Sequence, residues 1–130
     1  AIGLAAAVKF LKEIDLQRIS YHDQTLAKLA AQELREIPQV KIFGPLHQQH
    51  PPEYAGILSF SIKGMHAHDV VALADRKGIA LRAGHHCNQP LMRRLGAAST
   101  ARASFYLYNT PNEVNKLVQT IHWIIKNYLE

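Results

Sequence analysis

The chain holds a single cysteine, Cys87, among its 130 residues. One cysteine permits no internal disulfide, which excludes a stapled secreted module and fits a reducing compartment. Long apolar runs are missing too. None approaches the roughly 20 residues that a membrane-spanning helix needs, and the alanine-rich start lacks the charged leader and cleavage pattern of a signal peptide. The sequence therefore predicts a cytoplasmic or organellar-stromal protein with no membrane partner. No G-x-x-x-x-G-K-[ST] or G-x-G-x-x-G run occurs, so nucleotide-phosphate binding has no support. The formal net charge is +5 and the sequence pI about 9.5, yet the cations are scattered among acids except at Arg93-Arg94. No nucleic-acid stripe or basic tail stands out. Internal repeats, low-complexity tracts and interior linkers are absent as well. There is no initiating methionine, and the chain reads as cut from something longer, entering in mid-helix.

What is present suffices for one packed domain. With 48% hydrophobic residues in 130, the chain supports a single core and is short for two. Apolar spacing close to 3.6 residues predicts a helix over 2–14 and a second one capped by Asp15 and broken at Pro38. Val40 to Phe43 (VKIF) and Ile57 to Ile62 (ILSFSI) alternate as strands, the second apolar at Leu58, Phe60 and Ile62. Between them lies a polar, proline-rich loop with His47 and His50. The stretch 66–77 reads as a helix with Val70, Val71, Leu73 and Ala74 inward and Gly78 as its stop. A third strand is predicted over 79–83, a short helix over 90–95 closed by Gly96, and a fourth strand over 100–108. Thr110, Pro111 and Glu113 form a capping-box start for a last helix with its stripe at Val114, Leu117, Val118, Ile121, Ile124 and Ile125. Trp123 reads as packing. The expected fold class is α+β, a two-layer sandwich with a small mixed or antiparallel sheet of about four strands covered by helices. The 57–83 segment would form a right-handed crossover if its strands paired in parallel.

Chemistry concentrates in 81–92, LRAGHHCNQPLM. Pro90 suits the first turn of a helix, Asn88 or Gln89 its cap, and Cys87 then faces free backbone N–H groups and the positive end of the helix dipole. Arg82, His85, His86, Arg93 and Arg94 lie within a dozen residues of it, with no acid among them. Such a field favours the thiolate, the reactive form of a thiol. A buried, inert cysteine is the bland alternative. The preceding Gly84, the paired histidines and the local positive charge favour the reactive reading. His85 and His86 as metal ligands make a weaker case, because adjacent side chains diverge on most backbones and one cysteine completes no tetrahedral set. Arg102, on the strand after the short helix, has the planar fork that grips a carboxylate through two parallel hydrogen bonds. The alternative for it is an ordinary strand arginine paired with an acid. Arg82 has the same two readings, or braces the loop. His66 and His68 (MHAHD) read as a capped, solvated helix start rather than a metal site.

The run Arg82-Ala83-Gly84-His85-His86-Cys87, with Pro90-Leu91-Met92 after it, resembles the signature of the group II, SUF-type cysteine desulfurases and selenocysteine lyases. These are pyridoxal-phosphate enzymes of the class V aminotransferase-like fold. Further landmarks of their C-terminal part recur at Ile2-Gly3-Leu4, Phe43-Gly44-Pro45, the 66–78 helix, Ala101-Arg102-Ala103-Ser104 and Tyr108-Asn109-Thr110, so the likeness covers essentially the whole chain. The resemblance implies that residues 1–130 are the C-terminal small domain of such an enzyme. Cys87 then corresponds to the cysteine that accepts sulfur as a persulfide. Arg102 corresponds to the arginine holding the substrate α-carboxylate, and Arg82 to the arginine just before the cysteine loop. Gly84, His85, His86 and Asn88 would shape that loop. The implied reaction takes sulfur from L-cysteine, with L-selenocysteine the related substrate, gives L-alanine, and passes the persulfide to an acceptor protein for iron–sulfur cluster assembly. A homodimeric parent and a large cofactor domain are implied partners.

The family's cofactor lysine lies in a Ser/His/Lys segment with no counterpart here. Lysines 9, 12, 28, 41, 63, 77, 116 and 126 all sit in scaffold contexts. No cofactor-binding residue and no metal ligand is therefore expected in this chain, and on its own it is expected to be inactive. Two rival readings remain open: a cofactor-free sulfur-carrier or interaction module using Cys87, and a histidine-rich metal-binding domain.

Overall fold

The computed structural model describes residues 1–45 and 55–129; the proline-rich loop with His47 and His50 lies outside the described residues. Among the described residues, five helices and four strands follow one another as α1 (Ile2–Ile14), α2 (Leu16–Arg35), β1 (Val40–Phe43), β2 (Ile57–Ile62), α3 (Ala67–Asp75), β3 (Arg82–Gly84), α4 (Gln89–Leu95), β4 (Thr100–Ser104) and α5 (Pro111–Tyr128). The sheet order is β1-β2-β4-β3. Every neighbouring pair is antiparallel. This is the expected α+β arrangement.

Local chemistry explains several helix ends. The Asp15 carboxylate accepts the Gln17 N–H at 2.9 Å and opens α2. Thr110 and Glu113 close a reciprocal capping box on α5. Gly96, at φ 61, receives the left-handed end of α4.

Alternation then sets the two faces of the sheet. Leu58, Phe60, Ile62, Ala101 and Ala103 point into the core, where Phe60 and Leu58 are fully buried. Helix α2 lies against β1 and β2, α3 against β3 and β4, and α5 packs on both helices. The α5 stripe from Val114 to Ile125 is buried as its period requires. The opposite row, with Ser59, Arg102 and Arg82 in register across β2, β4 and β3, lies on the face these helices leave open.

Three expectations need correction. Strand β3 spans 82–84, not 79–83, because the Ile79 N–H bonds the Ala74 carbonyl at 3.1 Å in the α3 cap and cannot join a ladder. Strand β4 ends at Ser104, although the alternating pattern runs on to Tyr108. The Asn109 side chain captures the Tyr106 N–H at 2.9 Å, and the Asn109 N–H closes the turn on the Tyr106 carbonyl, also at 2.9 Å. Strands β2 and β3 do not pair with each other, since β4 inserts between them. Helix α1 forms where its spacing predicts it, yet none of its residues is buried, and Ile2, Leu4, Val8 and Phe10 are exposed.

Candidate active site

The site grows from the edge strand β3. Gly84, at φ 120, turns the chain out of the sheet in a conformation that L side chains rarely adopt. Beyond it, the Asn88 N–H bonds the His85 carbonyl at 3.0 Å, closing a turn whose two central residues are both left-handed. These are His86 at φ 54 and Cys87 at φ 61. Left-handed backbone costs a non-glycine residue on the order of 1–2 kcal/mol, and strain of this kind concentrates at functional sites. Asn88 then caps α4, its Oδ1 accepting the Leu91 N–H at 3.2 Å. Of the two cap candidates, Asn88 is the one that caps the helix.

The turn leaves Cys87 exposed, so the thiol is not a packed core group. The Arg82 Nη2 donates to its Sγ at 3.7 Å. Both border an open depression of about 580 Å³ that Ala83, His85, Gln89 and Pro90 help to line. Its lining contains no acid and no lysine. From residue 76 to residue 112 the chain carries six arginines and lysines and no acid at all. A larger depression, about 720 Å³, lies between α1, α2 and Leu107, and no thiol lines it.

Arg82 and Arg102 are direct partners in the β3–β4 register. Arg102 is half-buried, and its Nε is sealed from water without a hydrogen-bond partner. Among the described residues no carboxylate pairs with either guanidinium. Two cations facing each other repel, and a buried N–H donor left unpaired is costly. An anion bound between them would relieve both.

The adjacent histidines diverge, as expected. His85 is exposed and only approaches the Gln89 amide, at 3.5 Å. His86 turns inward over the open face, where its Nε2 lies 2.9 Å from the Oγ1 and 3.2 Å from the carbonyl oxygen of Thr100. Burial lowers its pKa, and the Arg102 charge lowers it further, while the hydrogen bond to the Thr100 backbone opposes them. The net shift is toward the neutral ring. Thr100 is fully buried. The sequence marked it only as a strand start, and no local pattern tied it to residue 86.

His66 caps α3 by accepting the His68 N–H at 3.3 Å on its Nδ1, and the two rings stack at 5.3 Å. Among the described residues no group of three or more His, Cys, Asp or Glu side chains could hold a metal ion. Trp123 packs, with the Lys77 ammonium 4.0 Å above its ring.

Comparison with known proteins gives a consistent picture. The family described as aminotransferase class-V matches residues 1–117. A probable cysteine desulfurase of Staphylococcus epidermidis is 42% identical over 121 residues, which is 93% of this chain. Among solved structures, the cysteine desulfurase CsdA of Escherichia coli superposes with a TM-score of 0.86 at 36% identity, and covers 96% of this chain. The apo cysteine desulfurase of Thermococcus onnurineus does so with a TM-score of 0.87 at 38% identity, again over 96%. The chain spans 28% of the length of the Staphylococcus relative and 30% of each of the two solved chains.

Proposed function

The chain belongs to the aminotransferase class-V family, and from that premise we propose that residues 1–130 are the C-terminal small domain of a pyridoxal-phosphate-dependent cysteine desulfurase. The observation that carries this reading is the solvent-facing Cys87 in a strained left-handed turn, beside two arginines that no carboxylate neutralises among the described residues.

Each residue has a task in that reaction. Arg102, with Arg82 opposite it, grips the α-carboxylate of L-cysteine by charge-assisted hydrogen bonds and aims the substrate sulfur at the turn. The Cys87 thiolate attacks that sulfur. An S–S bond forms while the substrate C–S bond breaks, and its electron pair stays with carbon, which is protonated and leaves as L-alanine. The Arg82 guanidinium, which donates a hydrogen bond to Sγ, stands beside the attacking sulfur. The resulting persulfide is exposed, as transfer to an acceptor protein for iron–sulfur cluster assembly requires. L-selenocysteine would fit the same clamp, since only the leaving atom differs.

The cofactor itself does not fit the residues present. Pyridoxal phosphate is held as an imine on a lysine, and no lysine lines the depression around Cys87. Its site belongs to the remainder of a longer protein, a homodimer in the cytoplasm on this reading. No helix of the described residues is long and apolar enough to cross a membrane.

The test uses the longer protein loaded with pyridoxal phosphate and given L-cysteine and a thiol acceptor. Cys87→Ala is expected to abolish persulfide formation and to cut alanine release by orders of magnitude. Unchanged alanine release would remove Cys87 from the reaction. The 130-residue chain alone, mixed with pyridoxal phosphate and cysteine, is expected to yield neither alanine nor sulfide.

A further inference from the structure

The residue beside the thiol has a role of its own to fill. Two consecutive left-handed residues do not hold themselves, and Cys87, Asn88, Gln89 and Pro90 are all exposed and contribute little packing. Among the described residues, one side chain of the turn reaches the backbone of the sheet. His86 folds back over the open face and meets Thr100 twice, at 2.9 Å and 3.2 Å. Thr100 stands opposite Gly84 in the β3–β4 register, so this tether fastens the first central residue of the turn to the strand next to the point where the chain leaves the sheet. The Thr100 carbonyl oxygen can only accept, which places the ring proton on Nε2 as the donor. The Nδ1 is then a bare acceptor, buried and without a partner. A proton there would set a third cation next to Arg82 and Arg102, so the ring tethers without adding charge.

We propose that His86 is a positioning residue for Cys87: anchored on Thr100, it fixes the left-handed turn and thereby keeps Sγ within reach of the Arg82 guanidinium. The importance of this role rests on the reading of Cys87 as the sulfur-accepting thiol. The contact it maintains does not, and can be measured without turnover.

Cys87 is the only thiol of the chain, so alkylation reports on it alone. The probes are anionic iodoacetate and neutral iodoacetamide, used on the full chain at one pH. Both consume the same thiolate, and the ratio of their rates therefore reads the positive field at the sulfur. In the parent chain the ratio is expected to exceed that of Arg82→Ala by about fivefold, the size of one partly screened charge contact. His86→Ala is expected to lower the ratio as far as Arg82→Ala does. The Arg82→Ala/His86→Ala double variant should fall no further than either single one. His86→Gln, whose amide can still donate to Thr100, is expected to recover most of the ratio. An unchanged ratio in folded His86→Ala, or a drop that adds to that of Arg82→Ala, would overturn the proposal. Should His86→Ala not fold, His86→Leu fills similar space without a donor; a lowered ratio there supports the tether and an unchanged one refutes it. Failure of the desulfurase reading shows elsewhere, as unchanged alanine release by Cys87→Ala in the longer protein.

Discussion

Arg82 and Arg102 stand directly opposite each other across the β3–β4 ladder, with no carboxylate between them among the described residues. Like charges in that position oppose folding, and their arrangement makes sense for a ligand rather than for the sheet. Replacing Arg82 by Gln is expected to leave stability unchanged or raise it by about 0.2–1 kcal/mol at low salt, a gain that shrinks at high salt. Acetate, as a simple carboxylate, is expected to raise the melting temperature of the parent chain more than that of Arg102→Gln. Thermal melts at two ionic strengths, with and without acetate, check both. A marked loss of stability in Arg82→Gln would mean that the pair is structural.

Two glycines separate backbone strain from steric clash. An added Cβ at Gly84 meets nothing within 4 Å, but the residue sits at φ 120. Gly84→Ala is therefore expected to cost about 1–3 kcal/mol, through the backbone alone. At Gly56 a Cβ would lie 2.6 Å from the Asp23 Cβ and 2.9 Å from the Phe105 carbonyl oxygen. Gly56→Ala is expected to cost at least about 1–3 kcal/mol by overpacking. Denaturant unfolding gives the two losses. Only Gly84→Ala should also change the alkylation rate of Cys87, because only Gly84 leads into its turn.

His86 makes stability depend on pH in a defined direction. In the folded chain its pKa is lowered, chiefly by burial, whereas in the unfolded chain it titrates near the ordinary value of about 6.5. As pH falls through that value the unfolded state takes up the proton first, so stability falls, and it stops falling once the folded pKa is passed. His86→Gln cannot titrate and is expected to lose less stability than the parent between about pH 7 and pH 5. The other histidines are common to both chains and cancel in the difference. Equal slopes in unfolding free energy against pH would contradict a buried neutral ring.

Much of the fold could be read locally. Asp15, Asn88, Gly96 and the Thr110–Glu113 box mark helix ends through contacts spanning two to four residues, and the structure keeps each of them. Alternation at Leu58, Phe60 and Ile62 named the buried face of β2 before any partner strand was known. The same pattern misled at 105–108, because Phe105 packs on the core although its strand has ended, and the Asn109 side chain had already diverted the backbone. Of the site, the thiol and both arginines were legible and the cap was narrowed to Asn88 or Gln89, since each carries its chemistry in its own side chain. The Thr100 anchor was not.

The sequence by itself determined where most helices begin and stop, which side of β2 and β4 faces the core, and that one thiol sits in an acid-free, cationic neighbourhood. Those properties are set by near neighbours along the chain. Only the tertiary structure decided that β4 lies between β2 and β3, that Arg82 faces Arg102, and that His86 folds back onto Thr100. Residues 14 or 20 positions apart meet only when the sheet closes. Which of them meet is fixed by how α2, α3 and α5 bury the apolar face beneath them, not by any spacing within the segments themselves.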